Sequence, residues 1–258
     1  MKLQSIFNRQ NAAYLLMFSL FIFLFSCKKT NEKPKATDES ADVVHDWYKM
    51  LLRIQLHQNP APIAQLNNSN FGYIGVALYE SVHPGIKNSV SLSTKLYQMP
   101  AMPAAEVNED YLWAASADAA LASMSRLLLT GLTDANKASI DSLEAAHNKQ
   151  FASSTSQAVL TRSQAFGRAI AASVHAWSKS DNNFNVSNTG YVLPVFPGSW
   201  EPTPPAFSNP FFPYLGKARP FLEKSLAIKA LPFPYPYSED PSSPFYKMVK
   251  EVYDISKT

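Results

Sequence analysis

Thirteen of the chain's 19 prolines fall between Pro194 and Pro244, and that clustering bounds the fold more tightly than any other feature. Proline lacks a backbone donor and clashes with the preceding helical turn, so this stretch admits neither a regular helix nor a central strand. Aromatic residues interleave the prolines throughout FPGSWEPTPPAFSNPFFPYLGKARPF (Phe196 to Phe221). So many rings do not suit a free linker. The expectation is an extended segment, about residues 187–244, that wraps a helical body. Exposed rings invite association, so Trp200, Phe207, Phe211, Phe212 and Tyr214 are expected to pack on helices rather than to form a carbohydrate or hydrophobic-ligand platform.

Upstream of the prolines the period is helical. Ala41 to Asn59 aligns Val43, Trp47, Leu51 and Ile54 and stops at Pro60. Ser69 to Val82 places Phe71, Ile74, Leu78 and Val82 on one face. Val76 and Tyr79 make much of its other face apolar, which predicts a central, well-buried helix ending at Pro84-Gly85. An alanine-rich helix follows near Asp110 to Leu129. Thr133 is a natural N-cap for the fourth, running to about Phe151. The fifth, Ser156 to Ser178, aligns Phe166, Ile170, Val174 and Trp177, and Gly167 with its alanines permits close packing. A last helix begins near Pro244 with Phe245, Val249, Val252 and Ile255 on one face. The fold expected is all-α, a bundle of about five to six helices with the proline segment around it. The sequence reaches Thr258 directly after an amphipathic helix, which reads as an incomplete domain.

The first 27 residues stand apart from the fold. Lys2 and Arg9 precede the 14-residue apolar run Ala12 to Phe25, which is short for a membrane span and suited to a signal-peptide core. Leu24-Phe25-Ser26-Cys27 resembles a bacterial lipobox, and residues 28–40 are a polar tether. The expectation is an exported lipoprotein, held to the membrane through lipid on Cys27 at the periplasmic face, outer membrane or cell surface. Cys27 is the only cysteine, so a mature body has no disulfide and no thiol chemistry. Without Lys2 and Arg9, 21 basic residues face 20 acidic ones, and nothing in that balance calls for nucleic acid.

Three constellations carry possible chemistry. Glu80/His83 and Glu144/His147 form two Glu-x-x-His steps, the spacing with which di-iron bundles aim a carboxylate and an imidazole at one point. Such a site needs two further carboxylates, for which the first and third helices offer Asp46 and Asp118. The plainer reading is a solvated acid and two ordinary histidines. Lys217 and Arg219 could clamp an oxyanion, or be solvated tips of a turn made by Gly216 and Pro220. No Gly-x-Ser-x-Gly elbow and no glycine-rich phosphate loop is present.

PGSWEPTPPAF…PYLGKARPF resembles a segment of the vanadium-dependent haloperoxidases and their relatives in the type 2 phosphatidic acid phosphatase superfamily. IGVALYESV is similar to an early helix of that family. ADVVHDWYKMLLR, SQAFGRAIAASVHAW and DPSSPFYKMVKEVYDISK follow in the order of neighbouring pieces, so the likeness covers roughly Ala41 to Lys257. The resemblance implies vanadate, or a substrate phosphate, held by a Lys, an Arg-Pro, a Ser-Gly-His, an Arg and a final His. Here Phe212 stands seven residues before Arg219-Pro220, where that pattern has Lys. No histidine follows a Ser-Gly pair, and none occurs after His175. Arg219-Pro220 therefore matches a structural Arg-Pro-Phe, and no catalytic residue is carried over.

The resemblance implies that residues 41–258 are the N-terminal, non-catalytic helical portion of a haloperoxidase-like or acid phosphatase-like lipoprotein. Its partner is then the missing C-terminal half of the same domain. The chain by itself holds no cofactor on this reading and is inactive. The alternative is a non-enzymatic surface lipoprotein that binds a ligand or partner through its aromatic, proline-rich segment.

Overall fold

Helix α1 (Asp42–Leu56) starts where Ser40 Oγ accepts the Asp42 amide, and it turns Val43, Trp47, Met50, Leu51 and Ile54 inward. The computed structural model describes residues 33–56, 68–129, 131–181, 190–211, 213–229 and 231–257. The leader, Cys27, residues 28–32 of the tether and Phe212 lie outside them. The chain divides into Met1–Pro34 and Lys35–Thr258, and every element below belongs to the second unit. The remaining helices are α2 (Asn68–Val82), α3 (Trp113–Leu128), α4 (Asp134–Ser154), α5 (Gln157–Lys179) and α6 (Pro244–Ile255). No strand occurs among the described residues, so the fold is all-α as expected. None of the described helices is long and apolar enough to cross a membrane.

The central helix is α3 rather than α2. Twelve of its sixteen residues are buried, because alanine and serine let neighbours approach from every side. It meets α1, α2 and α4 and packs most extensively on α5. The approach is closest at Gly167, where an added Cβ would collide with the Ser116 carbonyl oxygen. Its N-terminus is capped from outside the helix, with the Glu39 carboxylate accepting the Trp113 amide at 2.9 Å and the Ala114 amide at 2.6 Å. Thr133 and Ser156 cap α4 and α5 through their hydroxyls, as Ser243 does for α6 with Pro244 in its first turn. Each hydroxyl satisfies an amide that no preceding turn can reach.

Among the described residues of 190–243 the only helical elements are the short 3₁₀ turns Leu215–Lys217 and Glu223–Ala227. Proline forbids anything longer. The segment docks through Phe221, whose carbonyl accepts the Tyr97 amide at 2.8 Å and whose ring lies against Tyr73 and Trp177. Gly72 makes room, since a Cβ there would stand 2.9 Å from Phe221 Cζ.

The other rings do not follow. Trp200, Phe207 and Phe211 are 51%, 63% and 85% exposed, so the expectation that they pack on the helices is corrected. The reason is that the helices already close a core over one another, built from residues such as Trp47, Ile74, Leu121 and Ile170. Tyr214 is half-buried against Tyr191. Helix α6 has the predicted amphipathic stripe, yet none of its residues is buried.

Candidate functional site

Arg219, the cation that first suggests an oxyanion clamp, sits where the proline segment meets the ends of α2 and α5. Its Nη1 donates to Ser180 Oγ at 2.9 Å, and its Nη2 to Tyr73 Oη at 3.0 Å and the Trp177 carbonyl at 2.9 Å. Its guanidinium carbon lies 4.3 Å from the Trp177 ring centroid, a cation–π contact. Its backbone amide donates to Asp181 Oδ1, whose other oxygen accepts the Tyr73 hydroxyl at 2.8 Å. Burial pushes the Tyr73 phenol up to about 12, with Asp181 adding to the rise and Arg219 opposing it. Tyr73 is therefore a neutral hydrogen-bonding link at physiological pH. Lys217 Nζ lies 5.0 Å from the Tyr214 ring centroid. The guanidinium fork is directed into packing, where it ties residues 146 positions apart. Tyr73 and Asp181 were not singled out by sequence, and Trp177 only as part of a buried stripe, because a clamp of this kind has no local spacing.

The two Glu-x-x-His steps have separate fates. Glu80 is fully buried, not a solvated acid. Its Oε1 accepts the Leu92 amide at 2.5 Å, its Oε2 accepts Ser91 Oγ at 3.0 Å, and His83 Nε2 lies 3.3 Å from Oε2. Burial acts to raise this carboxyl's pKa, but the bonds from His83, Leu92 and Ser91 together outweigh it and hold the value below the ordinary one. Glu80/His83 thus fastens the loop after α2 to the helix. Glu144 instead pairs with Arg126 at 2.6 Å and Arg168 at 3.4 Å. Among the described residues no group of three or more His, Cys, Asp or Glu side chains is arranged around one metal position. The four residues Glu80, His83, Glu144 and His147 do not form a joint centre.

His147 meets different carboxylates, Asp118 and Asp46. Its Nδ1 lies 2.7 Å from Asp118 Oδ1, and the same oxygen accepts Trp47 Nε1 at 2.6 Å. Its Nε2 faces Asp46 Oδ2 at 3.5 Å. Burial raises the Asp118 carboxyl's pKa, and the bonds from Trp47 and His147 offset part of the rise. His147 and Asp46 line a cavity of about 680 Å³, together with Asp42, His45, Lys49 and Gln150. Three helices, α1, α3 and α4, therefore contribute to one buried polar cluster beside an open hollow.

An all-α body that is crossed at a glycine and strapped by a clamped proline segment defines a helical scaffold class. No family model matches the chain, and no curated protein matches it. Among solved structures it is similar to the crystal structure described as the first bacterial vanadium-dependent iodoperoxidase. The TM-score is 0.64 at 28% identity, covering 83% of this chain and 50% of that one. The chain has a haloperoxidase-like helical fold and spans about half the length of the iodoperoxidase it matches.

A vanadate oxyanion needs several cationic donors converging on one point. The candidates here do not fit that need. Arg219 points its donors at Ser180, Tyr73 and Trp177, and Lys217 lies over Tyr214.

Proposed function

We propose that this chain is the N-terminal helical portion of a haloperoxidase-like protein, exported and anchored by lipid on Cys27. Its role on this reading is architectural. It forms the helical shell and proline-rich wall of a site whose anion-binding residues come from the other half of the domain. The observation that carries this is the match of 83% of the chain to half of an iodoperoxidase. The packing role of Arg219 supports it, because the chain's own Arg-Pro stabilises a junction and offers no anion seat. The exposed apolar surface of residues 190–257 supports it too, as a face for that second half to cover.

The whole protein would then oxidise halide with peroxide at bound vanadate, or hydrolyse a phosphomonoester on the same scaffold. Residues 28–258 alone are expected to give no vanadate-dependent oxidation of iodide or bromide. A reading frame continuing past codon 258 is expected to encode the Lys, Arg-Pro, Ser-Gly-His, Arg and His set and to confer activity. Halide oxidation by residues 28–258 alone overturns the reading. Lipid anchoring is checked by fractionation, where Cys27→Ser is expected to release the protein from the membrane pellet; retention there rejects it.

One observation favours a second reading, a non-enzymatic lipoprotein that binds through its aromatic segment. The exposed Trp200 and Phe211 border a hollow of about 540 Å³ with Thr203 and Asn209. A stop codon after Thr258, with a monodisperse monomeric product, selects this reading over the first.

A further inference from the structure

The exposure of the aromatic rings restores a reading that the sequence argued against. Trp200 and Phe211 border a hollow of about 540 Å³ in the proline segment, within the ~300–1,000 Å³ of small-ligand sites. Its wall also carries Thr203, Ser208 and Asn209. Among the described residues no protein group bonds the side chains of Trp200, Thr203, Ser208 or Asn209. One indole N–H, two hydroxyls and one amide are therefore open to a ligand. No charged side chain lines the hollow among the described residues.

That combination selects a class of ligand. Phosphates and other ions are held by charge-assisted bonds, for which this wall has no charge. A wholly apolar ligand needs a site that buries most of its surface, whereas Phe211 is 85% exposed and Trp200 51%. The ligand that fits lays an apolar face on a ring and turns a rim of hydroxyls to the wall and to water. A pyranose has that form, with C–H groups on its faces and hydroxyls at its edge. The Asn209 amide and the two wall hydroxyls can each donate to or accept from such a rim, and the indole N–H can donate.

The wall is also ordered before any ligand arrives. Pro204, Pro205 and Pro210 fix their own φ angles, and the Phe207 amide closes the turn on the Thr203 carbonyl at 3.0 Å. Little conformational freedom is then left to lose on binding.

We propose that the hollow bounded by Trp200 and Phe211 binds a neutral carbohydrate. Trp200 stacks on a sugar ring, and Thr203, Ser208 and Asn209 bond its hydroxyls. This rests on the second reading above, in which the aromatic segment binds a ligand, and it names the class of that ligand.

The test uses the full chain with laminarihexaose, maltohexaose and chitohexaose, and with alginate oligosaccharide as the anionic control. Trp47, Trp113 and Trp177 are buried and Trp200 is half-exposed, so acrylamide quenching of tryptophan emission reports on Trp200. At least one neutral oligosaccharide is expected to suppress that quenching, and the matching polysaccharide to retard the chain in native gels. Trp200→Ala should abolish the retardation. Thr203→Ala and Asn209→Ala, each losing a hydrogen bond at an exposed position, should weaken it by about 2- to 10-fold. No response to any neutral glycan overturns the proposal, as do retardation that survives Trp200→Ala and a response to alginate alone. An apolar dye, anilinonaphthalene sulfonate, separates the two failures. Dye emission lost in Trp200→Ala without any glycan response overturns the carbohydrate and leaves the second reading standing. Dye emission that Trp200→Ala does not change, again without glycan response, overturns both.

Discussion

Glu80 keeps its charge in the interior because three donors reach it. A buried carboxylate left unpaired is costly, and hydrogen bonds to the charged form restore what desolvation removes. The sign of its linkage follows. Its folded pKa lies below the ordinary 4.5, so its stabilisation is present above that value and lost as pH falls through the folded one. Glu80→Gln is expected to cost about 1–3 kcal/mol at neutral pH, since a bond to a charged acceptor is lost in a buried setting. Urea denaturation from pH 7 down to pH 3 should show the variant's deficit shrinking at the acid end; a deficit independent of pH rejects the ionised role. Asp118 has the opposite sign. Burial holds its carboxyl above the ordinary 3.8, so its ionisation costs stability as pH rises from that value through the folded one. The sequence showed Glu80 and His83 at a metal-ligand spacing but gave no sign of their true partners. Ser91 and Leu92 come from the loop that folds back over α2, and no helical period records that approach.

At the scale of elements, the α3–α5 crossing is set by the absence of a side chain. Gly167 brings its backbone against Ser116 so closely that even a methyl group has no space, and the obstacle is backbone that no rotamer can move. Gly167→Ala is expected to destabilise by about 3 kcal/mol, the upper end for overpacking. Thermal denaturation should show it, and a loss below about 0.5 kcal/mol would mean that the helices slide apart freely. Helix existence, the caps at Thr133 and Ser156, and the buried stripes of α1 and α5 were all legible, because each depends on residues a few positions apart. The buried side of α2 was not. Of its predicted stripe Ile74 is fully buried but Phe71, Leu78 and Val82 are only partly so, while Tyr73, Ala77, Glu80 and Ser81 turn fully inward. A helix apolar on two sides leaves the choice to its neighbours, here α3, α5 and the Phe221 plug.

For the molecule as a whole, the imbalance of apolar surface is the main physical fact. Val249, Val252, Tyr253 and Ile255 of α6 are exposed, as are Val195, Phe211 and Leu231 of the proline segment. Surfaces of this kind associate. The 258-residue chain is therefore expected to self-associate with rising concentration in sedimentation velocity. Val252→Lys with Ile255→Lys should reduce that association while leaving the unfolding of the α1–α5 body unchanged. A wild-type chain that stays monomeric at all concentrations argues against a covering second half.

What the sequence determined by itself is local. Proline density argued against regular helix between Pro194 and Pro244, periodicity placed six helices, and the resemblance of PGSWEPTPPAF…PYLGKARPF pointed to the haloperoxidase-like fold that the iodoperoxidase match supports. What the tertiary structure decided is which groups meet. Arg219 closes on Tyr73 and Asp181, His147 lies between Asp118 and Asp46 rather than beside Glu144, and Trp200 and Phe211 remain outside. The reason is one of range. Backbone geometry and capping act over a few residues and leave a trace in spacing, whereas desolvation and charge pairing depend on chain segments that only packing brings together.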